Sequence, residues 1–377
     1  MSDPTFIIWD DWINSVIYAT SGNSLILSES ARFAATIQSQ DGTCRNSAII
    51  AGEATTGQGA GDGEVIHFRT LGGVGENVVT VTATGAVLSN STANTIVLEG
   101  FGNLLQNFGE IVGGTGLVGL NWHDGSVENH GSILGMRGAA VRLVDGGSDN
   151  QILNTGTITG VGGVEFVRSS AKIVNTGVIA SNSAKVAAID GAEAGTAEGI
   201  PAGFVLRNSG EVIGLSDAIL GSAYADRIVN SGLIEGDIRL GDGNDLYRGR
   251  DGTVNGEVRG DGGSDTLIGG ARDAPLFGGT GKDSLVGGAG DDTLSGGVNA
   301  DGFVIARGGG DDVVTDFADN TDKLDLSAFH LKDFSAVATR AMDVAGGLLI
   351  SLSDLGGGSV LLEDMTKALL DAGDVIL

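Results

Sequence analysis

Residues 278–304 read GGTGKDSLV, GGAGDDTLS and GGVNADGFV, three consecutive nine-residue blocks with glycine first and second, Asp sixth and an apolar residue eighth. Each position has a physical reason. The glycines allow the left-handed, close-packed backbone of a tight loop, the Asp supplies a hard anionic oxygen, and the apolar residue opens a short inward-facing strand. Three repetitions in register mark a stacked repeat architecture.

Related loops flank this core. GDGND begins at Gly241, a block carrying Asp265 begins at Gly260, GGARDAPLF begins at Gly269, and Gly310 precedes Asp312. The candidate metal-site residues are therefore Gly241, Gly243, Asp245, Gly260, Gly263, Asp265, Gly278, Gly279, Gly281, Asp283, Gly287, Gly288, Gly290, Asp292, Gly296, Gly297, Asp301, Gly310 and Asp312. Carboxylates with backbone carbonyls, without His or Cys, form an oxygen-only cage that fits Ca2+ rather than zinc, and its flexible geometry disfavours magnesium. Stacked aspartates with no cation between them would repel one another.

The stretch resembles the RTX (repeats-in-toxin, hemolysin-type) family of secreted calcium-binding β-rolls, over about the last third of the chain. The resemblance implies that an ion sits between loops on the same side of successive coils. One side then carries Asp245, Asp265, Asp283 and Asp301, and the other Ala274, Asp292 and Asp312. Arg272 and Ala274 break the rule, so the pair they form with the Asp292 loop is expected to be empty or weak. The expected total is roughly three to four calcium ions.

Net charge is -27, which argues against nucleic acid or an anionic membrane as partner. Half of the acidic residues follow Leu240, and nearly all of those are Asp, the shorter carboxylate that fits a tight loop. With 66 Gly, 3 Pro and 41% hydrophobic residues the chain can fill a thin core of short strands. A single cysteine, Cys44, excludes an intramolecular disulfide. The start, MSDPTFIIWDDWINS, does not have the form of a secretory signal peptide, and no transmembrane segment is expected.

Upstream, a second repeat of the form Asn-x-Gly-x-(Ile/Val) recurs at Asn107, Asn129, Asn154, Asn175, Asn208 and Asn230, with spacings of about 21 to 25 residues and one longer interval. Between copies lies further alternation, such as 141–143 and 164–166, so each coil has at least two strands. The Asn is expected to stack as a ladder and the Gly to take a positive-φ position. The long interval, with its Ala- and Gly-rich insertion before Asn208, reads as a surface loop or a binding face. The expected fold class is all-β: a parallel β-helix or solenoid continuing into a calcium-binding RTX β-roll with a C-terminal cap. The expected organisation is an N-terminal cap at 1–45 holding Trp9, Trp12 and Tyr18, a parallel β-solenoid at 46–240, the roll at 241–312, and a C-terminal cap with secretion signal at 313–377.

The segment 313–329 resembles the one that closes RTX rolls, with Asp316, Asp322 and Asp325 at the boundary, and the tail reads as two short strands and an amphipathic helix. The terminal Asp374 and its three apolar followers resemble the uncleaved signal of type I secretion substrates. The resemblance implies export by the type I secretion machinery to the extracellular space without an N-terminal signal peptide, with folding driven there by calcium. A binding role follows: an adhesin, surface or matrix component with a cell-surface glycan, or self-association, as partner. No His-Glu-x-x-His or Gly-x-Ser-x-Gly motif is present. The alternative is a polysaccharide lyase or C5-epimerase on the β-helix, with His123, His130 and Arg142 as weak catalytic candidates; sparse basic residues and overall acidity argue against it.

Overall fold

A computed structural model describes residues 47–55, 65–68, 76–89, 94–147, 149–195 and 202–377, together with the backbone of five strands between Thr5 and Ser39. Trp9, Trp12 and the side chain of Tyr18, assigned to a cap, lie outside the described residues. The chain divides into two compact units, Met1–Leu220 and Gly221–Leu377.

Met1–Leu220 is a parallel β-solenoid. One ladder runs through Thr5–Ile8, Ser24–Leu27, Ser47–Ile50, Val78–Val81, Leu104–Asn107, Ser126–Asn129, Asn150–Asn154, Ala171–Asn175 and Val205–Asn208, each strand parallel to the next. The same parallel pairing therefore reaches into the stretch assigned to a cap. A second run begins three residues after the Asn and stacks Glu110–Gly113 on Ser132–Val144, Thr157–Val167 and Val178–Ser181. Beyond a bend, a third run stacks Thr115–His123 on the distal half of Ser132–Val144 and then on Thr157–Val167 and Ile189–Glu193. Among the described residues these coils thus offer three faces, and alternate Ile, Val and Leu, such as Leu105, Val127, Ile152 and Ile173, are buried between them. Burial of this apolar surface, at roughly 25 cal/mol per Å2, supplies the driving force.

The Asn ladder forms. Nδ2 of Asn107 donates to Oδ1 of Asn129 at 2.8 Å, Asn129 to Asn154 at 2.7 Å, Asn154 to Asn175 at 2.8 Å and Asn175 to Asn208 at 2.8 Å. All five are buried. The glycine of the motif differs from expectation: Gly131, Gly156, Gly177 and Gly210 are not in the left-handed region. Space is the constraint instead, because a Cβ on each would collide with the carbonyl oxygen of the equivalent glycine one coil earlier. The long interval before Asn208 is an ordinary coil for much of its length, since Ile189 and Asp190 pair with Val164 and Glu165; the added chain lies between Glu193 and Val205.

Gly221–Leu377 is also a parallel solenoid, and its core runs without interruption through Leu240 and Gly241, the expected boundary between solenoid and roll. Arg227–Asn230, Leu246–Arg248, Thr266–Ile268, Ser284–Val286, Gly302–Val304, Lys323–Asp325 and Val375–Ile376 form one parallel ladder. Leu233–Gly241, Val258–Gly262, Pro275–Thr280, Thr293–Val298 and Asp311–Val314 form the facing one. Thr253–Asn255 pairs with Leu233–Gly241 and is not taken up by a later strand, so a third face ends there and the coils narrow to two faces.

The tail differs from expectation. Ala341–Val344, Gly347–Ser351 and Ser359–Glu363 form an antiparallel meander, the last of them parallel to Asp311–Val314. The expected amphipathic helix is absent: Lys367–Leu369 are turns, and the short helix lies earlier, at Phe334–Ala338. Only 11 residues join Ser359–Glu363 to Val375–Ile376, starting from a left-handed Asp364. Asp343 Oδ1 accepts the Lys367 N–H at 2.6 Å. Among the described residues no helix is long and apolar enough to cross a membrane.

Candidate metal centre

Two columns of side chains line the corners between the faces of Gly221–Leu377. On one corner Asp226, Asp245, Asp265, Asp283, Asp301 and Asp322 follow one another. The backbone N–H of each of the first five donates to Oδ1 of the next, at 2.7, 2.8, 2.8, 2.9 and 2.9 Å. On the other corner the Ala274 N–H donates to Asp292 Oδ1 at 2.8 Å, and the Asp292 N–H to Asp312 Oδ1 at 3.2 Å. The two extra residues before Asp312 are absorbed in the turn at Gly308, whose N–H bonds to the Gly356 carbonyl at 2.8 Å.

Only one oxygen of each carboxylate is used in this ladder. Oδ2 of Asp245, Asp265, Asp283, Asp292 and Asp301 is buried and has no hydrogen-bond partner, an arrangement that costs free energy unless something else satisfies it. The loop glycines surround these oxygens in two ways. A Cβ on Gly260 would strike Asp265 Oδ2 and the Gly278 carbonyl oxygen, and a Cβ on Gly278 would strike Asp283 Oδ2 and the Gly296 carbonyl oxygen. Gly287 and Gly296 are held clear for Asp292 and Asp301 in the same way. Gly310 is hemmed in by Asp291 Oδ1 and the Gly290 carbonyl. By contrast Gly241, Gly243, Gly263, Gly279, Gly281, Gly288, Gly290 and Gly297 have φ between 91° and 139°, a conformation glycine adopts without strain. Asp261 and Asn299 take left-handed φ where a block lacks glycine.

The electrostatics follow from burial. Desolvation, reinforced by neighbouring carboxylates, raises Asp245 to about 8 and Asp292 to about 7. Asp265, Asp283, Asp301 and Asp312 rise to about 6, again chiefly through burial. The backbone N–H bond to each carboxylate offsets only part of this. Buried acceptors facing carbonyl oxygens, with no donor between them, are a donor set for a hard cation. Among the described residues no three His, Cys, Asp or Glu side chains converge on one point, so such a cage would draw on backbone carbonyls as well.

The interruption at Arg272 and Ala274 coincides with the narrowing of the coil. Ala274 keeps its place in the column but supplies no oxygen. Its loop folds over the preceding turn, with Gly270 facing the carbonyls of Gly249, Arg250 and Gly252. A small cleft lined by Tyr247, Gly252, Val254, Val258 and Arg272 marks the step.

Sequence reading missed Asp226 and placed Asp322 only at the boundary of the roll. Asp226 stands sixth in a block opening at Gly221 with Ile228 eighth, and Asp322 stands sixth with Leu324 eighth, so the signal was present without the paired glycines. Asp316, expected only at a boundary, accepts from the Ser295 hydroxyl and the N–H groups of Gly296 and Gly297 at 2.6, 2.9 and 2.8 Å. Asp374 is fully buried and accepts from the N–H groups of Asn320 and Asp371.

In Met1–Leu220 the three weak catalytic candidates are held separately. His123 stacks on Phe101 with centroids 4.6 Å apart, and His130 on Phe108 at 4.9 Å with Nδ1 2.8 Å from Thr155 Oγ1. Arg142 Nε lies 2.9 Å from Glu165 Oε2. Among the described residues no hydrogen bond, ion pair or ring contact joins the three.

The family model for the RTX calcium-binding nonapeptide repeat matches in four copies, over residues 257–273 and 275–303. Comparison with curated proteins finds no match. Repeats of this family bind calcium, and the matched segments span Asp265, Asp283, Asp292 and Asp301. Residues 257–303 are thus RTX calcium-binding nonapeptide repeats built into a parallel β-solenoid.

Proposed function

We propose that the protein is a secreted repeat protein whose C-terminal unit is folded and locked by extracellular calcium, and that it serves as an adhesin, surface or matrix component. The observation that carries the reading is the set of five buried, unpartnered Oδ2 atoms. Calcium held between the Asp265 and Asp283 loops, and between the Asp283 and Asp301 loops, would satisfy three of the five, with backbone carbonyl oxygens completing its coordination. When bound, the ion supplies charge neutralisation and cross-linking of successive coils. The chain's own residues supply the rest: glycines hold the loops open, the N–H ladder fixes each Oδ1, and burial keeps water from competing.

In a calcium-poor cytosol the unneutralised columns would keep this unit unfolded, a state suited to type I export, with millimolar calcium outside driving it to fold. Circular dichroism of the full chain should show a gain of β structure on adding calcium to chelated protein; an unchanged spectrum contradicts the reading. Retention on cells or glycan surfaces, measured with and without chelator, tests the adhesive role.

One observation favours a second reading, a polysaccharide lyase or C5-epimerase. Arg142, Glu165 and Asp190 stand in register on successive strands, and burial raises both carboxylates. Unsaturated uronate absorbance after incubation with alginate or pectate would reveal a lyase, and NMR of the product an epimerase.

A further inference from the structure

The corner column of aspartates has an uncharged counterpart in Met1–Leu220. Asn77, Asn103 and Asn150 occupy the corresponding place, immediately before strands of the first ladder: Val78–Val81, Leu104–Asn107, and the start of Asn150–Asn154. Their Oδ1 atoms do what the aspartate Oδ1 atoms do. Asn103 Oδ1 accepts from the Asn77 N–H at 3.1 Å, and Asn150 Oδ1 from the Gly125 N–H at 3.1 Å. The second atom of the side chain differs. Asn103 Nδ2 donates to the Gly100 carbonyl at 3.0 Å, and Asn150 Nδ2 to the carbonyls of Gly147 at 2.9 Å and Ser170 at 3.1 Å. In Asp245, Asp265, Asp283 and Asp301 the equivalent atom is an oxygen, buried and unpartnered. The two ends of the aspartate column need no outside donor: Asp226 Oδ2 takes the Ser222 N–H at 2.6 Å and Asp322 Oδ2 the Ala318 N–H at 2.8 Å.

We infer that the amide columns of Met1–Leu220 are self-satisfied equivalents of a cation-bridged column, so that calcium controls the folding of Gly221–Leu377 alone. Where this corner holds Asn the side chain satisfies itself and where it holds Asp it needs an ion, while Gly125 and Ala171, which stand level with Asn150 in neighbouring coils, carry no polar side chain to satisfy. An amide carries its own donor to the facing carbonyl, whereas a carboxylate presents a second acceptor and must share a cation with it. The Asn107 to Asn208 ladder extends the same logic to a second corner of that unit, each Nδ2 also reaching a carbonyl, as Asn107 does at Ser132 at 3.0 Å. For export, the N-terminal coils must pass before they assemble. Their strands pair in parallel, and parallel sheets form slowly.

The inference rests on the calcium reading above, and hydrogen exchange of the full chain with calcium and with chelator separates the two. The expected result is that peptides from 94–181 keep their protection in chelator, while those from 241–314 lose it by at least roughly tenfold. Equal loss in both regions overturns the inference while leaving the calcium reading intact. No loss in either overturns both. A pair of variants supplies a second test. Asp283→Asn should lower the calcium concentration at which 276–304 becomes protected, because the amide takes over from the ion. Asp283→Ala should raise that concentration, because it leaves the Asp265 N–H without its acceptor. Equal midpoints for the two variants overturn the inference.

Discussion

Asp283 accepts the N–H of Asp265 through Oδ1 at 2.8 Å, while its Oδ2 is buried without a partner. One side chain thus both fixes the register of two coils and leaves an acceptor for something outside the chain. The hydrogen bond spans the 18-residue step between these coils, and the unpaired oxygen is the acceptor that a bound cation would satisfy.

The pH dependence has a defined sign. Burial raises Asp245 to about 8, Asp292 to about 7 and Asp265, Asp283 and Asp301 to about 6, against an ordinary 3.8. Without calcium the folded state therefore holds protons that the unfolded chain has released. Stability of the C-terminal unit is present below about pH 4 and is lost as pH rises through about 6 to 8. Saturating calcium should remove or invert this trend, because ion binding displaces the same protons. Thermal melts in chelator between pH 5 and 8 should show a falling transition, and a flat or rising one contradicts the assignment.

The interruption at Ala274 is repairable. The Ala274 N–H already bonds Asp292 Oδ1, so the double substitution R272G/A274D restores both the loop and the missing carboxylate. Calcium stoichiometry by equilibrium dialysis should rise by about one ion. An unchanged count would show that the loop fold over Gly249 and Gly252, rather than ligand chemistry, closes that position.

Gly131 tests the spatial role of glycine in the Asn repeat. A Cβ there would meet the Gly109 carbonyl at van der Waals overlap, although the φ is ordinary. Gly131→Ala should destabilise Met1–Leu220 by about 1–3 kcal/mol in urea unfolding and leave calcium stoichiometry unchanged. A neutral effect would mean that the column can spread.

Asn154→Ala should cost about 1–3 kcal/mol in the same assay, because it leaves the Asn129 amide donor and the Asn175 carbonyl acceptor buried without Asn154. Loss comparable to an exposed Asn→Ala change would contradict the ladder.

Much of this was legible in the sequence because it is periodic. Nine-residue spacing placed Asp245, Asp265, Asp283 and Asp301 on one corner, and the Asn-x-Gly spacing placed Asn107 to Asn208 in one ladder. What escaped lacked a pattern of its own. Asp226 and Asp322, the latter expected only at the end of the roll, stand in blocks without paired glycines, and backbone N–H groups satisfy their Oδ2 atoms. The glycines of the Asn repeat were read as left-handed because spacing reports that glycine is needed, without distinguishing φ from lack of room. The narrowing at Thr253–Asn255 depends on which strand finds a later neighbour, a non-local fact, and in the tail the short return to Val375–Ile376 runs through turns where local pattern suggested a helix.

Calcium as the partner of the buried carboxylate oxygens of Gly221–Leu377 is tested by equilibrium dialysis of the full chain against saturating calcium, with bound metal counted per chain. Binding of roughly three to four ions, with magnesium failing to replace them, is the predicted result. Zero bound calcium, or equal occupancy by magnesium, would contradict it.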